Sequence, residues 1–169
     1  MTQRTRILVA VLVLIVLVGA ILGIEAQRRM PGRRAQGAAG EPTLAPGSIP
    51  ITLDGRLAGS FSPDDLSHLE KASFVDAEES KTQEGWLLRD VILLHVDREK
   101  LQPDTTVTVS SSSRAKAAQL TWAEVDDPAN RVLFDLSSRG TLKLVSILDK
   151  LDTRDEWVQD ADGIEISSR

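Results

Sequence analysis

The two histidines of the chain are the first residues to consider as catalytic or metal-binding groups. His68 lies in a short polar segment, and His95 follows an apolar segment with helical spacing. They are far apart and lack the HExxH-type spacing that places two imidazoles on one helix face. A histidine at the end of a helix also satisfies the last carbonyl groups without any further role. We therefore predict structural roles for both histidines.

Clusters of hydroxyl and carboxylate groups are the next candidates. The serines from Ser110 to Ser113 lack the nucleophile elbow of serine hydrolases, so we expect a polar hairpin turn there. The segment from Asp160 to Gly163 matches the start of a calcium loop but lacks the later ligands, which favours an ordinary turn. The sequence also has no glycine-rich phosphate-binding loop. We predict no catalytic, cofactor-binding or metal-binding residues.

Cysteine and the aromatic residues narrow the chemistry further. The chain has no cysteine, which excludes thiolate metal sites, iron–sulfur clusters, covalent haem attachment and cysteine nucleophiles. Three tryptophans, Trp86, Trp122 and Trp157, could line a ligand pocket or contact a partner. In a domain of this size they are more simply explained as core anchors. We predict that all three are buried.

The elements that must position these residues alternate between strand-like and helical patterns. We predict strands at residues 49–53, 73–79, 105–109, 115–120, 131–136, 142–147 and 163–167. We predict helices after the Ser62 cap, over residues 86–94 and over residues 122–125. The sum predicts one α+β domain over residues 49–169, with short helices packed on mixed or antiparallel β-structure.

An uninterrupted apolar run, Ile7 to Ile24, precedes this domain. As a helix it would span about 27 Å, close to the hydrocarbon thickness of a bilayer. A secretory signal peptide has a shorter core and a small-x-small cleavage site, whereas Glu25 and two arginines follow here. We therefore predict a single-pass transmembrane anchor within residues 1–26. Gly19 and Gly23 form a small-xxx-small pair that would allow close packing on another helix.

The segment between the predicted anchor and the domain, residues 27–48, is rich in proline, glycine and alanine. This composition predicts a flexible linker. It carries four arginines that are candidate contacts for a partner or for lipid headgroups: Arg28, Arg29, Arg33 and Arg34.

Charge is distributed unevenly along the chain. Six of the 20 basic residues flank the apolar run, so the chain from Ala35 onward has 14 basic against 24 acidic residues, a net charge of −10. A domain this acidic repels nucleic acid, so we expect no nucleic-acid partner. The flanking arginines favour a cytoplasmic domain, whereas the short tail before the apolar run is typical of an uncleaved export signal. We expect the inner membrane with a periplasmic domain, and a cytoplasmic domain stays open.

The order of six segments of the domain carries a family resemblance. The segments are ITLDG (51–55), FSPDDL (61–66), GWLLRDVI (85–92), TVTVSS (106–111), GTLKLV (140–145) and Trp157 followed by IEI (164–166). Their order resembles the molybdopterin-binding domain of the sulfite oxidase family, over about residues 49 to 167. The segments GWLLRDVI and Trp157 with IEI carry most of this resemblance.

The resemblance implies a compact, β-rich α+β fold that is often exported. It also implies a molybdenum-ligating cysteine in the stretch that runs here from Asp76 to Gly85. That stretch has no cysteine, and the family's phosphate-binding basic and histidine residues have no convincing counterparts. We therefore predict a relative that has no cofactor and is not an enzyme.

These observations lead to a hypothesis about function. The chain is a non-catalytic, single-span accessory subunit that docks on a larger integral membrane protein complex. The resemblance implies an electron-transfer assembly of the respiratory or photosynthetic kind. Two alternatives stay open: a membrane-tethered molybdopterin-type oxidoreductase, and a tethered ligand-binding or sensing module.

Overall fold

The structure, a computed structural model, describes residues 44–78 and 80–168. Strands dominate this part of the chain. They are β1 (Ile49–Leu53), β2 (Arg56–Phe61), β3 (Lys71–Val75), β4 (Thr82–Leu87), β5 (Thr106–Ser111), β6 (Lys116–Thr121), β7 (Leu133–Leu136), β8 (Leu142–Val145), β9 (Val158–Ala161) and β10 (Gly163–Ser167). The helices are α1 (Leu88–Leu93) and α2 (Trp122–Asp126), with 3-10 helices at Pro63–His68, Arg98–Lys100 and Pro128–Asn130.

The strands form two five-stranded sheets. The first sheet has the order β2-β1-β10-β5-β6, in which only the β1–β10 pair is parallel among the described strands. The second has the order β3-β4-β7-β8-β9 and is antiparallel throughout. The chain passes from the second sheet to the first between β9 and β10, where the Asp162 N–H donates to the Ser110 carbonyl at 2.9 Å. The single residue Asp162 therefore links the last strand of the second sheet to the last strand of the first.

The main hydrophobic core lies between the two sheets. Ile51 and Ile164 of the first sheet and Phe134 and Leu144 of the second are each at most 2% exposed. Phe61 and Phe134 meet across the core with ring centroids 6.1 Å apart. Alternate residues of each strand point into this layer, as expected for two sheets packed face to face.

One glycine shows how tightly the second sheet is built. Gly85 of β4 lies opposite Asp135 of β7, and a Cβ atom at position 85 would lie 2.0 Å from the carbonyl oxygen of Phe134. No side chain fits at that distance. The glycine therefore permits the close approach of these two strands.

The α+β prediction for the fold class is wrong, because the described part of the chain is mostly β-structure with only short helices. The two α-helices have six and five residues, too few to form a helical layer of their own. Three strands were not predicted, β2, β4 and β9. Their sequences contain glycine, alanine and aspartate, so pairing with neighbouring strands determines their conformation more than intrinsic propensity does.

The predicted helix over residues 86–94 is wrong in its first part. Trp86 and Leu87 end strand β4, and only Leu88–Leu93 is helical. Trp86 faces the main core, while Leu87 belongs to a second cluster on the opposite face. Because both faces of this strand end are covered, its sequence shows no strand-like alternation.

The predicted anchor, with Gly19 and Gly23, and the linker up to residue 43, with Arg28, Arg29, Arg33 and Arg34, lie outside the described residues. Within residues 44–78 and 80–168, no helix has the length and apolar character needed to cross a bilayer.

Candidate functional site

The outer face of the second sheet, turned away from the first sheet, carries its own small hydrophobic cluster. Leu87, Leu133, Val145 and Trp157 are buried there, from β4, β7, β8 and the segment before β9. Phe74 of β3 packs against the cluster. The cluster holds the Trp157 indole in place, and its Nε1 donates to the Leu151 carbonyl at 3.0 Å.

A lysine lies beside this cluster with its ammonium group fully engaged. Lys143 alternates with the core residues of β8 and therefore points to the outer face. Its Nζ lies 2.9 Å from Asp135 Oδ2, donates to Gln83 Oε1 at 2.8 Å and lies 5.0 Å from the centre of the Trp157 ring. The ion pair, the hydrogen bond and the cation–π contact compensate for the partial burial of this charge.

A surface depression of about 520 Å³ lies over these groups. Its walls come from the start of β4, the β7–β8 hairpin, β9 and the loop before β9. The polar and charged residues of its lining are Lys81, Thr82, Gln83, Asp135, Ser137, Ser138, Arg139, Lys143, Arg154 and Gln159. Trp157 contributes the apolar part of the lining.

A second depression of about 240 Å³ continues the first. The two share Arg154, Trp157 and Gln159, and the second adds Arg114 and Lys116 from the β5–β6 hairpin of the first sheet. We call the connected surface the basic groove and define it by its six basic residues. They are Lys81, Arg114, Lys116, Arg139, Lys143 and Arg154.

The charge of the basic groove opposes that of the domain around it. Six of the 14 basic residues from Ala35 onward line it, whereas only Asp135 and Asp155 of the 24 acidic residues do. The fold therefore concentrates cations on one surface of a domain whose net charge is −10. Such a local reversal of charge attracts anionic groups and repels cationic ones.

Asp160 connects two arginines of the groove. It accepts hydrogen bonds from Thr141 Oγ1 at 2.7 Å and Arg114 Nε at 2.8 Å, and Arg139 Nη2 lies 3.5 Å from its other side. The hydrogen bond from Thr141 and that from Arg114 lower the pKa of Asp160 below its ordinary value. Asp160 also has a φ of 55°, in the left-handed region that few side chains adopt. The carboxylate contacts of Asp160 therefore connect the β5–β6 hairpin, which carries Arg114, to the β7–β8 hairpin, which carries Arg139.

The histidines lie apart from the groove. His68 ends the 3-10 helix Pro63–His68 and is exposed. The His95 ring lies against Gly59, where a Cβ atom would come within 2.4 Å of its Nδ1. In the described part of the chain, no group of three or more histidine, aspartate or glutamate residues lies together as a metal site would require.

The other residues considered from the sequence have structural surroundings. Ser110 and Ser111 end β5, and Ser112 and Ser113 form the hairpin turn. Both carboxylate oxygens of Asp162 accept the Ser112 N–H, at 2.9 and 3.1 Å. The predicted hairpin turn is confirmed at Ser112 and Ser113, whereas the turn predicted over residues 160–163 is wrong, because only Asp162 lies between β9 and β10.

The three tryptophans are buried, as predicted. Trp86 and Trp122 are 6% and 3% exposed in the main core, and Trp157 is 4% exposed in the outer cluster. Trp157 combines both roles that the sequence left open, because it anchors the outer cluster and also lines the basic groove.

The stretch from Asp76 to Gly85 does not fit the molybdenum site that the resemblance implies. Its described residues, 76–78 and 80–85, belong to the β3–β4 connection and to β4, and its sequence contains no thiol. Asp76 is 1% exposed, and its Oδ1 accepts the Glu78 N–H within the turn. The residues present hold the turn and offer no thiolate ligand.

Sequence reasoning missed the basic groove because its residues are dispersed. The six cations lie in four segments between residues 81 and 154, and none forms a run of like charge. The position of Lys143, between two leucines of an alternating strand, was the one available signal that it faces away from the core.

No protein-family model matches this chain, and no curated protein matches it significantly.

Proposed function

We propose that the chain is a non-catalytic accessory subunit, held in a membrane by Ile7–Ile24, whose folded domain docks on a larger integral membrane protein complex. The basic groove is the observation that supports this. It is a local concentration of arginine and lysine beside a buried tryptophan, and arginine and tryptophan are enriched at protein interfaces. We place the docking surface there.

The shape and chemistry of the groove favour a protein partner over a small molecule. Small-molecule sites are typically enclosed and mostly apolar, with few polar groups. The groove is open, and most of its lining residues are charged or polar. Charged surfaces of this kind steer association and select partners of opposite charge.

The class of complex comes from the sequence resemblance alone. It implies an electron-transfer assembly of the respiratory or photosynthetic kind. The charge of the basic groove supports an acidic docking surface on this complex.

Affinity capture of the full chain tests this proposal. The tagged chain is extracted with a mild nonionic detergent from the cells that encode it, and its mass is measured under native conditions. We expect a stable complex with an integral membrane protein that is lost when Arg139→Glu and Arg154→Glu are combined. A chain that purifies alone, with no co-migrating partner, contradicts the proposal.

A matched control distinguishes the effect of the groove residues from the effect of a change in net charge. Arg56 and Lys100 are exposed basic residues that line neither depression. Arg56→Glu combined with Lys100→Glu makes the same change in charge and should leave the complex intact. Loss of the complex in both double variants would show that overall charge, and not the groove, holds the partner.

The volume of the groove favours one second candidate, a tethered ligand-binding or sensing module. The larger depression, at about 520 Å³, lies within the usual ~300–1,000 Å³ range of ligand sites. A ligand that binds only the native state raises the melting temperature. A melting temperature that rises with a small anionic compound, together with a chain that purifies alone, would favour this candidate.

A further inference from the structure

The cations of the basic groove come from several elements, and the one point where Arg114 and Arg139 converge is already occupied by the Asp160 carboxylate. Lys81 lies at the β3–β4 turn and Arg139 at the β7–β8 turn, both in the second sheet. Arg114 and Lys116 belong to the β5–β6 hairpin of the first sheet. Arg154 lines both depressions. The charge is therefore spread along a connected surface.

Cations that are spread over two connected depressions match an anion that carries several separate charges along its length. A single phosphate or carboxylate is best bound by cations that converge on it. An extended polypeptide presents side chains every ~3.3 Å, alternating between two sides. An acidic peptide can therefore place successive carboxylates against successive cations, a recognition mode known for arginine clusters.

The arginines are held in positions that leave them able to bind a carboxylate. Asp160 contacts Arg114 through Nε and Nη2, and Arg139 through Nη2. A guanidinium has five N–H donors, so one that is fixed on one side still presents donors on the other. The Asp160 contacts therefore reduce the entropy that these side chains would lose on binding.

We propose that the basic groove binds an extended acidic segment of the partner, with its carboxylates against Arg154 and against the remaining donors of Arg114 and Arg139. This inference rests on the proposed function and names the partner chemistry of the same surface. Polar residues of the groove wall, Gln83 and Gln159 among them, provide further hydrogen-bonding groups for the peptide backbone.

Isothermal titration calorimetry on the full chain in nonionic detergent tests this proposal. The probe is an acetylated and amidated octapeptide of alternating aspartate and glutamate. The reference peptide has asparagine and glutamine at the same positions. We expect saturable binding of the acidic peptide that weakens as salt is added, and no measurable binding of the reference.

Substitutions in the basic groove and outside it show where the acidic peptide binds. Arg139→Gln combined with Arg154→Gln should raise the Kd for the acidic peptide about tenfold or more, the usual effect of losing charged hydrogen bonds. Arg56→Gln combined with Lys100→Gln should leave the Kd unchanged. Circular dichroism of each variant shows whether it is folded, and the salt dependence measured on the unaltered chain does not depend on any variant.

Three results would overturn the proposal. The first is equal affinity in both double variants, and the second is no binding of the acidic peptide at low salt. The third is binding only of inorganic phosphate or of vesicles containing anionic lipid, which would assign the groove to another class of anion. A chain that co-purifies with its partner but fails to bind the peptide would reject this inference and leave the proposed function standing.

Discussion

The ammonium nitrogen of Lys143 lies 5.0 Å from the centre of the Trp157 ring, on the outer face of the second sheet. The two residues come from different segments, and each has a further partner. Lys143 pairs with Asp135, and Trp157 donates to the Leu151 carbonyl. The contact therefore joins the floor of the basic groove to the loop that forms one of its walls.

Replacement of Lys143 should destabilise the domain. Lys143→Met keeps much of the side-chain length but leaves Asp135 and Gln83 without the ammonium group, at a cost of about 1–3 kcal/mol. The free energy of unfolding from urea denaturation measures the loss. As a control, Lys100→Met breaks an exposed pair with Asp97 and should cost less than about 0.5 kcal/mol. Equal losses in the two variants would mean that the Lys143 contacts add nothing specific.

Alanine at position 85 should be poorly tolerated. Its Cβ would overlap the Phe134 carbonyl oxygen at 2.0 Å, so β4 and β7 must separate or shift. We expect a loss of about 3 kcal/mol or more, at the upper end of overpacking effects. Gly140→Ala is the comparison, because no atom lies within 4 Å there and only its φ of 79° opposes the side chain.

Gly140→Ala should also lower the free energy of unfolding, but by less than Gly85→Ala. A left-handed conformation costs an alanine about 1–2 kcal/mol. The order of the two losses in chemical denaturation is therefore the prediction. A Gly85→Ala variant that is more stable than Gly140→Ala would contradict the close approach of the strands.

Stability should depend on the ionisation of Asp160 at acid pH. The folded-state pKa of Asp160 lies below its ordinary value of 3.8, chiefly through the hydrogen bond from Thr141 and then that from Arg114. A lowered carboxyl pKa stabilises the folded state above the unfolded pKa, and this contribution is lost as the pH falls through the folded pKa.

Asp160→Asn tests this dependence and suits a position with positive φ, because asparagine tolerates that region. At pH 7 the variant should be less stable than the unaltered chain. The difference should shrink as the pH falls below about 4. Urea denaturation at a series of pH values measures it. A constant difference between pH 7 and pH 3 would show that Asp160 contributes through its shape and not through its charge.

The cap of helix α2 should contribute measurably despite the short helix. The Thr121 side chain accepts the Glu124 N–H at 3.3 Å, and the Glu124 carboxylate accepts the Thr121 N–H at 2.7 Å. Thr121→Ala should therefore cost about 1 kcal/mol in unfolding free energy. Thr121→Ser keeps the hydroxyl and should recover most of the loss. Equal stability of the alanine and serine variants would rule out the capping hydrogen bond as the cause.

The sequence by itself determined the local elements that carry strong signals within a few residues. The β5–β6 hairpin, helix α2 and strand β10 all occur close to where they were predicted. Each depends on contacts within a short stretch of chain: turn residues, β-branched residues or a cap. The burial of the three tryptophans follows similarly from residue type.

Only the tertiary structure decided the fold class and the candidate site. Strands β2 and β9 depend on pairing with the strand before them, and β4 depends on pairing with β7, about 50 residues further along the chain. The apolar segment at Trp86 depends on which faces are covered. The basic groove depends on the same long-range pairing, because Lys81 and Arg154 are far apart in the chain yet line one depression. A periodic pattern reports which face of an element is apolar, but not which distant element lies beside it.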